Sequence, residues 1–490
     1  MNSLQIHASD NVAVALKDLS LGQNELGATL SSDVAKGHKF AVNEIREGES
    51  VIKYGHPIGQ AISDIKVGQH VHSHNLRTSL KSGEHYTYEP TEQSLSSALE
   101  HHQTDTFRGY LRANGQAGTR NEIWVLNTVG CVNATAARVA NASKAITSVD
   151  GIHSFAHPFG CSQLGNDLDH TQKVLAALAS HPNTGGVVII GLGCENNQLD
   201  QLLERVDPTQ KERIRSFSAQ KVQDEEISGL NGVQELAEIM AADQRTELPA
   251  SRLSLGMKCG GSDSFSGLTA NPLVGQMTDR ICAAGGRAIL TEVPEMFGAE
   301  QLLMNRAINA DVYNQTVKLI DDFKGYFTAN KQPVSENPSP GNIAGGITTL
   351  EEKSLGAIQK GGSAAVRSVI DYGERTTEQG LTLLEGPGND AVSSTALTAA
   401  GANLILFTTG RGTPLGFPVP TLKIASNSAL AASKPRWIDF NAGALLEGRS
   451  MPDVASDLWN KILDIASGEP AKNEQNDYRE IAIWKTGVTL

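Results

Sequence analysis

The segment His70-Val71-His72-Ser73-His74-Asn75 places a histidine at every second position. Side chains alternate across an extended chain, so His70, His72 and His74 are expected on one face. Neighbours there lie about 7 Å apart, and two imidazoles can reach one metal ion. His72 and His74 are the favoured ligand pair, against the plainer reading of a solvated polar strand face. Three cysteines share a different setting. Cys161 ends His157-Pro158-Phe159-Gly160-Cys161, Cys194 stands in Gly191-Leu192-Gly193-Cys194-Glu195, and Cys259 opens Cys259-Gly260-Gly261-Ser262-Asp263. Gly-rich loops at the carboxyl ends of parallel strands are where open α/β sheets take ligands, so the three thiols are expected to converge in one cleft. Cys131 also follows a strand, whereas Cys282 falls inside a helix pattern and reads as core filler.

Two loops gather further polar groups. Residues 256–267 present Ser262, Asp263, Ser264 and Ser266, and Thr408-Thr409-Gly410-Arg411-Gly412-Thr413 follows a strand ending at Phe407. A guanidinium held by glycines grips a carboxylate through two parallel hydrogen bonds, so an anionic, hydroxylated small molecule fits this set. Phosphate and dinucleotide chemistry fails on motif grounds. No Gly-rich stretch ends in Gly-Lys-Ser or Gly-Lys-Thr; Gly410-Arg411-Gly412 has Leu415 where a third glycine belongs, and no acid follows about 20 residues on. No Gly-x-Ser-x-Gly turn marks a nucleophilic serine.

The elements that must hold these loops fall into two styles. Residues 1–80 read as short strands (11–16, 39–42, 49–53 and 69–74) broken by Gly-containing turns, a small β module. Residues 81–107 are Ser, Glu, Gln, Thr and His with almost no bulky apolar side chain, the composition of a solvated linker. After Arg108, apolar runs alternate with helical spacing: strands 122–129 and 186–192 flank a helix over 171–179, within a central α/β domain of residues 108–250. A second α/β domain covers 251–490, with strand 253–257, helix 272–284, strand 287–290, helix 394–400 and strand 403–407. The Pro- and Gly-rich segment 335–346 is too long and stiff for a plain connection and reads as a functional loop. The fold class is α/β with mostly parallel sheets behind the β module.

Composition bounds the partners. The 490 residues make about three domains at ~150 residues each. With 41 basic and 54 acidic residues the net charge is −13, and no Lys/Arg cluster could neutralise a row of phosphates, so nucleic acid is not an expected partner. Apolar runs such as 187–192 are far shorter than the ~20 residues of a membrane span, and Met1–Asp10 lacks a secretory pattern. Five cysteines, an odd and widely spaced set, make no disulfide framework. A cytoplasmic protein is expected.

Several segments together resemble the altronate/galactarate dehydratase family: 109–115, Gly118-Thr119-Arg120-Asn121, Gly191-Leu192-Gly193-Cys194-Glu195, 258–267, Asn337-Pro338-Ser339-Pro340-Gly341-Asn342 and 407–414. The resemblance runs from residue 11 almost to the C-terminus. It implies that the β module is SAF-like, matched by 10–15 and 54–59. It also implies an enzyme that removes water from a sugar acid to leave a 2-keto-3-deoxy acid, with iron as cofactor and no nucleotide. His72-Ser73-His74-Asn75 resembles the altronate branch more than the galactarate branch, and the fused module argues against a sulfolactate sulfo-lyase, whose module and core are usually separate chains. Because SAF-like modules also occur in glycan binders, a sugar-binding protein without catalysis is the non-enzymatic rival. In the enzymatic reading Arg411 takes the substrate carboxylate, with Ser262, Thr409 and Asn121 as further substrate contacts. Some of His72, His74, Cys161, Cys194 and Cys259 hold the metal, and Glu195, Asp263 or His157 transfers protons. A single Fe(II) on the histidines is favoured, with an iron–sulfur cluster on Cys161, Cys194 and Cys259 as the alternative. The expected partner is a small sugar acid; self-association into a homo-oligomer is left open.

Overall fold

The computed structural model of the chain describes residues 2–80, 86–91 and 105–490. The β module is built around two small antiparallel sheets, with a short hairpin of Asn24–Glu25 and Ala28–Thr29 beside them. One has the order β1-β2-β3-β6, with β1 (Ser3–Leu4), β2 (Val12–Ala15), β3 (Lys39–Ala41) and β6 (His70–Val71); the other joins β4 (Ser50–Lys53), β5 (His56–Ala61) and β7 (Leu76–Arg77). Val12, Val14, Phe40, Val51 and Ile58 are all buried.

The central domain carries a four-stranded parallel sheet in the order β9-β8-β10-β11, with β8 (Glu122–Asn127), β9 (Gly151–Ser154), β10 (Thr184–Gly191) and β11 (Ile214–Ser218). Every residue of β8 and β10 is buried, the signature of strands covered on both faces. Ile123 and Val125 join the core of α1 (Asn133–Ala142) and α3 (Glu225–Met240), while Trp124 and Leu126 share a core with α2 (Asn166–Ala179). The chain enters this domain along Thr106–Leu111 and leaves along Thr246–Pro249, two strands paired antiparallel.

The C-terminal domain holds seven parallel strands in the order β14-β15-β13-β12-β16-β17-β18. These are β12 (Ser254–Cys259), β13 (Arg287–Leu290), β14 (Val366–Ile370), β15 (Gly380–Leu384), β16 (Leu404–Thr409), β17 (Thr421–Ala425) and β18 (Phe440–Asn441). Helices α4 (Ala270–Ala283), α5 (Pro340–Ala344), α6 (Leu350–Ala357) and α7 (Asp390–Ala399) bear on the argument below. Two expected helices begin earlier than their apolar spacing: α2 starts with an acidic turn at Asp167 and Asp169, and α7 is capped by Asn389, whose side chain accepts from Ala391 N and Val392 N.

Of the expected linker, residues 81–85 and 92–104 lie outside the described residues. The part between them is packed rather than solvated, with the Tyr86 hydroxyl on Glu300 at 2.7 Å and the Tyr88 hydroxyl on Ala307 O at 2.8 Å. The β module packs on the C-terminal domain, where Thr349 Oγ1 donates to Ile58 O at 2.5 Å. Among the described residues no helix is long and apolar enough to cross a membrane.

Candidate active site at the C-terminal sheet

From β12 the chain winds outward through β13 on one side of the sheet, then returns to place β16 on the other side. The crevice beyond the carboxyl ends of β12 and β16 is therefore a topological switch point, where this architecture takes ligands. Backbone bonds tie its two loops together: Gly260 N donates to Thr408 O at 3.0 Å, and Gly410 N and Arg411 N donate to Gly261 O at 3.1 and 3.0 Å. Asp263 stands between them. Its Oδ1 accepts from Ser266 N, Ser266 Oγ and Ser426 Oγ at 2.8–3.0 Å, and its Oδ2 accepts from Asn427 Nδ2 at 3.0 Å. Burial raises its pKa, and these donors offset that only in part. Arg411 is exposed, with Nη1 donating to Gly341 O at 2.9 Å. Thr409 and Ser262 serve the loops themselves. Thr409 Oγ1 accepts from Gly412 N at 2.8 Å, and the buried Ser262 offers its carbonyl to Asn342 Nδ2 at 2.8 Å.

The histidines reach the same crevice from the β module. Strand β6 stops at Val71, so the shared strand face expected for His70, His72 and His74 is corrected to a turn. Asn75 causes it: its Oδ1 accepts from His72 N and its Nδ2 donates to His70 O, both at 2.9 Å, and the backbone curls so that Asn75 N and Leu76 N reach His72 O at 3.0 Å. The rings still gather, joined by His38, which sequence reasoning missed. His38 Nδ1 lies 3.1 Å from His70 Nε2; the His38, His70 and His72 rings stack at 5.0–5.4 Å, and His74 lies 5.4 Å from His70. His72 Nε2 donates to Ile343 O at 3.2 Å, which seats the turn on α5. Burial lowers the pKa of His38, His70 and His72, that of His70 to about 4 with repulsion from the other rings, so these three rings stay neutral.

Below the crevice is a small polar pocket lined by Cys259, Ser262, Asp263, Ser264, Glu295, Glu352 and Lys353. Lys39 and Lys53 of the module both hold Glu352, at 2.8 and 2.7 Å. Burial pushes the Lys39 ammonium down to about 8, further than its share of that carboxylate lifts it. Glu292, in a left-handed backbone conformation just past β13, takes Lys258 and Lys360, and Glu295 takes Lys353 at 2.8 Å. Cys259 Sγ donates to Glu295 at 2.8 Å; burial and the two carboxylates push its thiol up to about 12, so it is protonated here. The sequence signal for this layer was a lysine inside an otherwise apolar strand, at Lys39 in β3 and Lys258 in β12.

The remaining candidates lie elsewhere. Cys161 and Cys194 are exposed on loops of the central sheet while Cys259 is buried under the C-terminal sheet, so the expected convergence of these three in one cleft is corrected. The three lie at or beyond the ends of strands in two different sheets. Glu195 is held by Thr128 Oγ1, Leu192 N and Gly193 N at 2.5–2.9 Å, bonds that outweigh burial and lower its pKa. His157 is buried with Nε2 on Asn127 O at 2.9 Å and Nδ1 accepting from Phe159 N at 3.3 Å; burial lowers its pKa. Asn121 is buried too, its Oδ1 accepting from Arg112 Nη1 at 2.9 Å.

Comparison with known proteins decides the family. Three consecutive stretches match family descriptions: an altronate/galactarate dehydratase SAF domain at 1–79, a D-galactarate dehydratase/altronate hydrolase second domain at 109–242, and a D-galactarate/altronate dehydratase C-terminal domain at 250–489. Altronate dehydratase of Escherichia coli (strain K12) is 49% identical over all of both chains, and that of Bacillus subtilis (strain 168) is 46% identical over 99% of each. Galactarate dehydratase (L-threo-forming) of Escherichia coli is 34% identical over 95% of this chain and 93% of its own. The chain belongs to the galactarate/altronate dehydratase family. As a member it is a hydro-lyase, a sugar-acid dehydratase, and the family's SAF domain is the β module described above. For such an enzyme the donor set at the pocket floor fits a metal: ligand atoms of Cys259, Glu292 and Glu295 lie within 4.8 Å of one another. Three lysines already balance the carboxylates there, whereas the imidazole cluster at the crevice offers uncharged nitrogens.

Proposed function

We propose that the protein removes water from D-altronate to give 2-keto-3-deoxy-D-gluconate, with Fe(II) as its metal and the cytoplasm as its compartment. The observation that carries the reading is the meeting of Arg411, Asp263 and neutral imidazoles at one switch point, in a chain that aligns end to end with altronate dehydratases. Five unpaired cysteines support the reducing compartment. The C2–H and C3–O bonds break, the proton and hydroxide leave as water, and the resulting enol tautomerises to the 2-ketone. No electrons leave the substrate, which agrees with the missing nucleotide motifs.

Arg411 binds the substrate carboxylate with the arm of its fork that Gly341 leaves free, and so orients C2 toward Asp263. Asp263 takes the C2 proton on Oδ2, which accepts a single protein bond, and the burial that raises its pKa strengthens it as a base. Glu195, His157 and Asn121 position loops of the central domain. His70 and His72, with His38 and His74 beside them, would hold Fe(II), which would supply Lewis acidity to the enediolate and the departing hydroxide. The test is to incubate anaerobically purified, iron-loaded protein with a panel of aldonates and aldarates and to assay 2-keto acid. Altronate is expected to give product; product from galactarate and none from altronate overturns the substrate assignment.

A further inference from the structure

The central sheet has a switch point of its own. From β8 the chain moves to β9 on one side and then to β10 on the other, and the loop after each of these three strands carries one cysteine: Cys131 after β8, Cys161 after β9 and Cys194 after β10. The three loops are bound to one another. Gly130 N donates to Phe159 O and Asn197 N to Gly160 O, both at 2.9 Å; Ser162 N donates to Asn196 Oδ1 at 2.7 Å, and Thr128 Oγ1 to Glu195 Oε1 at 2.5 Å. Gly160, at φ 101°, lies so close to the end of β8 that a Cβ would overlap Thr128 O, so the Cys161 loop is seated directly against the Cys131 loop. All three thiols are free and exposed, while Cys259 and Cys282 are buried. Gln220 Nε2 donates to Cys194 Sγ at 3.4 Å, the kind of N–H to sulfur contact that tunes a metal-bound thiolate.

We infer that Cys131, Cys161 and Cys194 form a three-thiolate site for an iron–sulfur cluster at the carboxyl end of the central sheet, distinct from the crevice at Asp263 and Arg411. Among the described residues, the donors packed tightly enough for a single ion are Cys259, Glu292 and Glu295, not these thiols. A cluster does not need its sulfurs that close, because each thiolate binds a different iron. Three thiolates leave the fourth iron of a [4Fe–4S] cube open to an oxygen ligand. On assembly each thiol loses its proton to solvent as its Fe–S bond forms; two ferrous ions, two ferric ions and four sulfide ions make the cube with no further electron transfer. Because the inference does not rest on altronate as substrate, the two readings can fail separately.

The experiment takes the full chain, purified anaerobically and reconstituted with equal amounts of ferrous and ferric iron and with sulfide. Iron and acid-labile sulfide are expected in near-equal amounts, about four of each per chain, with broad visible absorption. Cys131→Ala, Cys161→Ala and Cys194→Ala should each lose most of the sulfide, and Cys259→Ser should keep it. Alkylation mapped by mass spectrometry covers the case of a variant that misfolds: in the unmutated protein these three thiols should be shielded with cluster present and modified once it is stripped. Iron without sulfide, or full alkylation of the three thiols in iron-loaded protein, overturns the inference, even where that protein still makes 2-keto acid. A cluster without 2-keto acid from any sugar acid supports the inference and removes the dehydratase substrate instead.

Discussion

Arg411 and Glu352 show how differently two charges can serve one site. Arg411 is exposed and holds one backbone carbonyl, so its free arm is available to a ligand. Arg411→Lys keeps the charge and loses the fork. We expect KM for the sugar acid to rise roughly tenfold, the worth of a charge-assisted hydrogen bond, with kcat largely kept. Steady-state kinetics with an unchanged KM would take Arg411 out of the site. Glu352 is buried beneath two ammonium groups, which hold its carboxyl far below the usual range against the upward push of burial. Glu352→Gln strands both lysines, and urea unfolding at neutral pH should show a loss of about 3–5 kcal/mol; a loss under 1 kcal/mol would mean that the lysines find other partners. Asp263, Arg411, His70, His72 and His74 stand out in the sequence because glycine-rich loops, strand ends and alternation advertise them, whereas His38 does not. The Lys39–Glu352 and Lys53–Glu352 pairs were not, since their partners lie 313 and 299 residues apart along the chain.

At the scale of elements, the segment from Ser339 to Thr349 joins the module to the domain. Helix α5 is capped by Ser339, and its carbonyls at Ile343 and Ala344 face His72 and His38. Next comes Gly346, at φ 91°, where a Cβ would overlap Gly37 O of the module. Gly346→Ala is therefore expected to part the imidazoles from Asp263, cutting kcat/KM by roughly tenfold or more while the C-terminal sheet still unfolds cooperatively. Wild-type kcat/KM in a folded Gly346→Ala protein would show that the module need not dock so closely. That residues 335–346 are more than a plain connection was readable from prolines and glycines too dense for a casual connector, and the segment indeed packs on the module. The His72–Asn75 turn was not, because alternating histidines look the same in a strand as in a turn whose direction is set by one asparagine amide.

Across the whole molecule, parallel sheets were legible as unbroken apolar runs such as Val187–Ile190, but docking of one sheet domain on another depends on polar contacts with no local pattern. His181 is such a contact. It is buried between the two sheet domains, stacks on Trp124 at 5.4 Å, donates from Nε2 to Ala402 O at 3.1 Å and accepts from Asn183 N at 3.1 Å. Burial, and then the Arg375 charge, push its pKa down to about 3, so the folded protein keeps it neutral. The unfolded chain takes up that proton near pH 6.5, and the folded state takes it up only near the lowered value. The stability His181 contributes is thus complete above about pH 6.5 and is lost as the pH falls toward 3, with about 2–3 kcal/mol gone by pH 4.5. His181→Asn removes the titration and keeps an amide for hydrogen bonding. The variant should be weaker than wild type at pH 7.5, yet its further loss between pH 7.5 and 4.5 should be smaller by that amount, measured by urea unfolding followed through tryptophan fluorescence. Equal losses in both proteins would show that this domain interface yields to acid through carboxylates instead of His181.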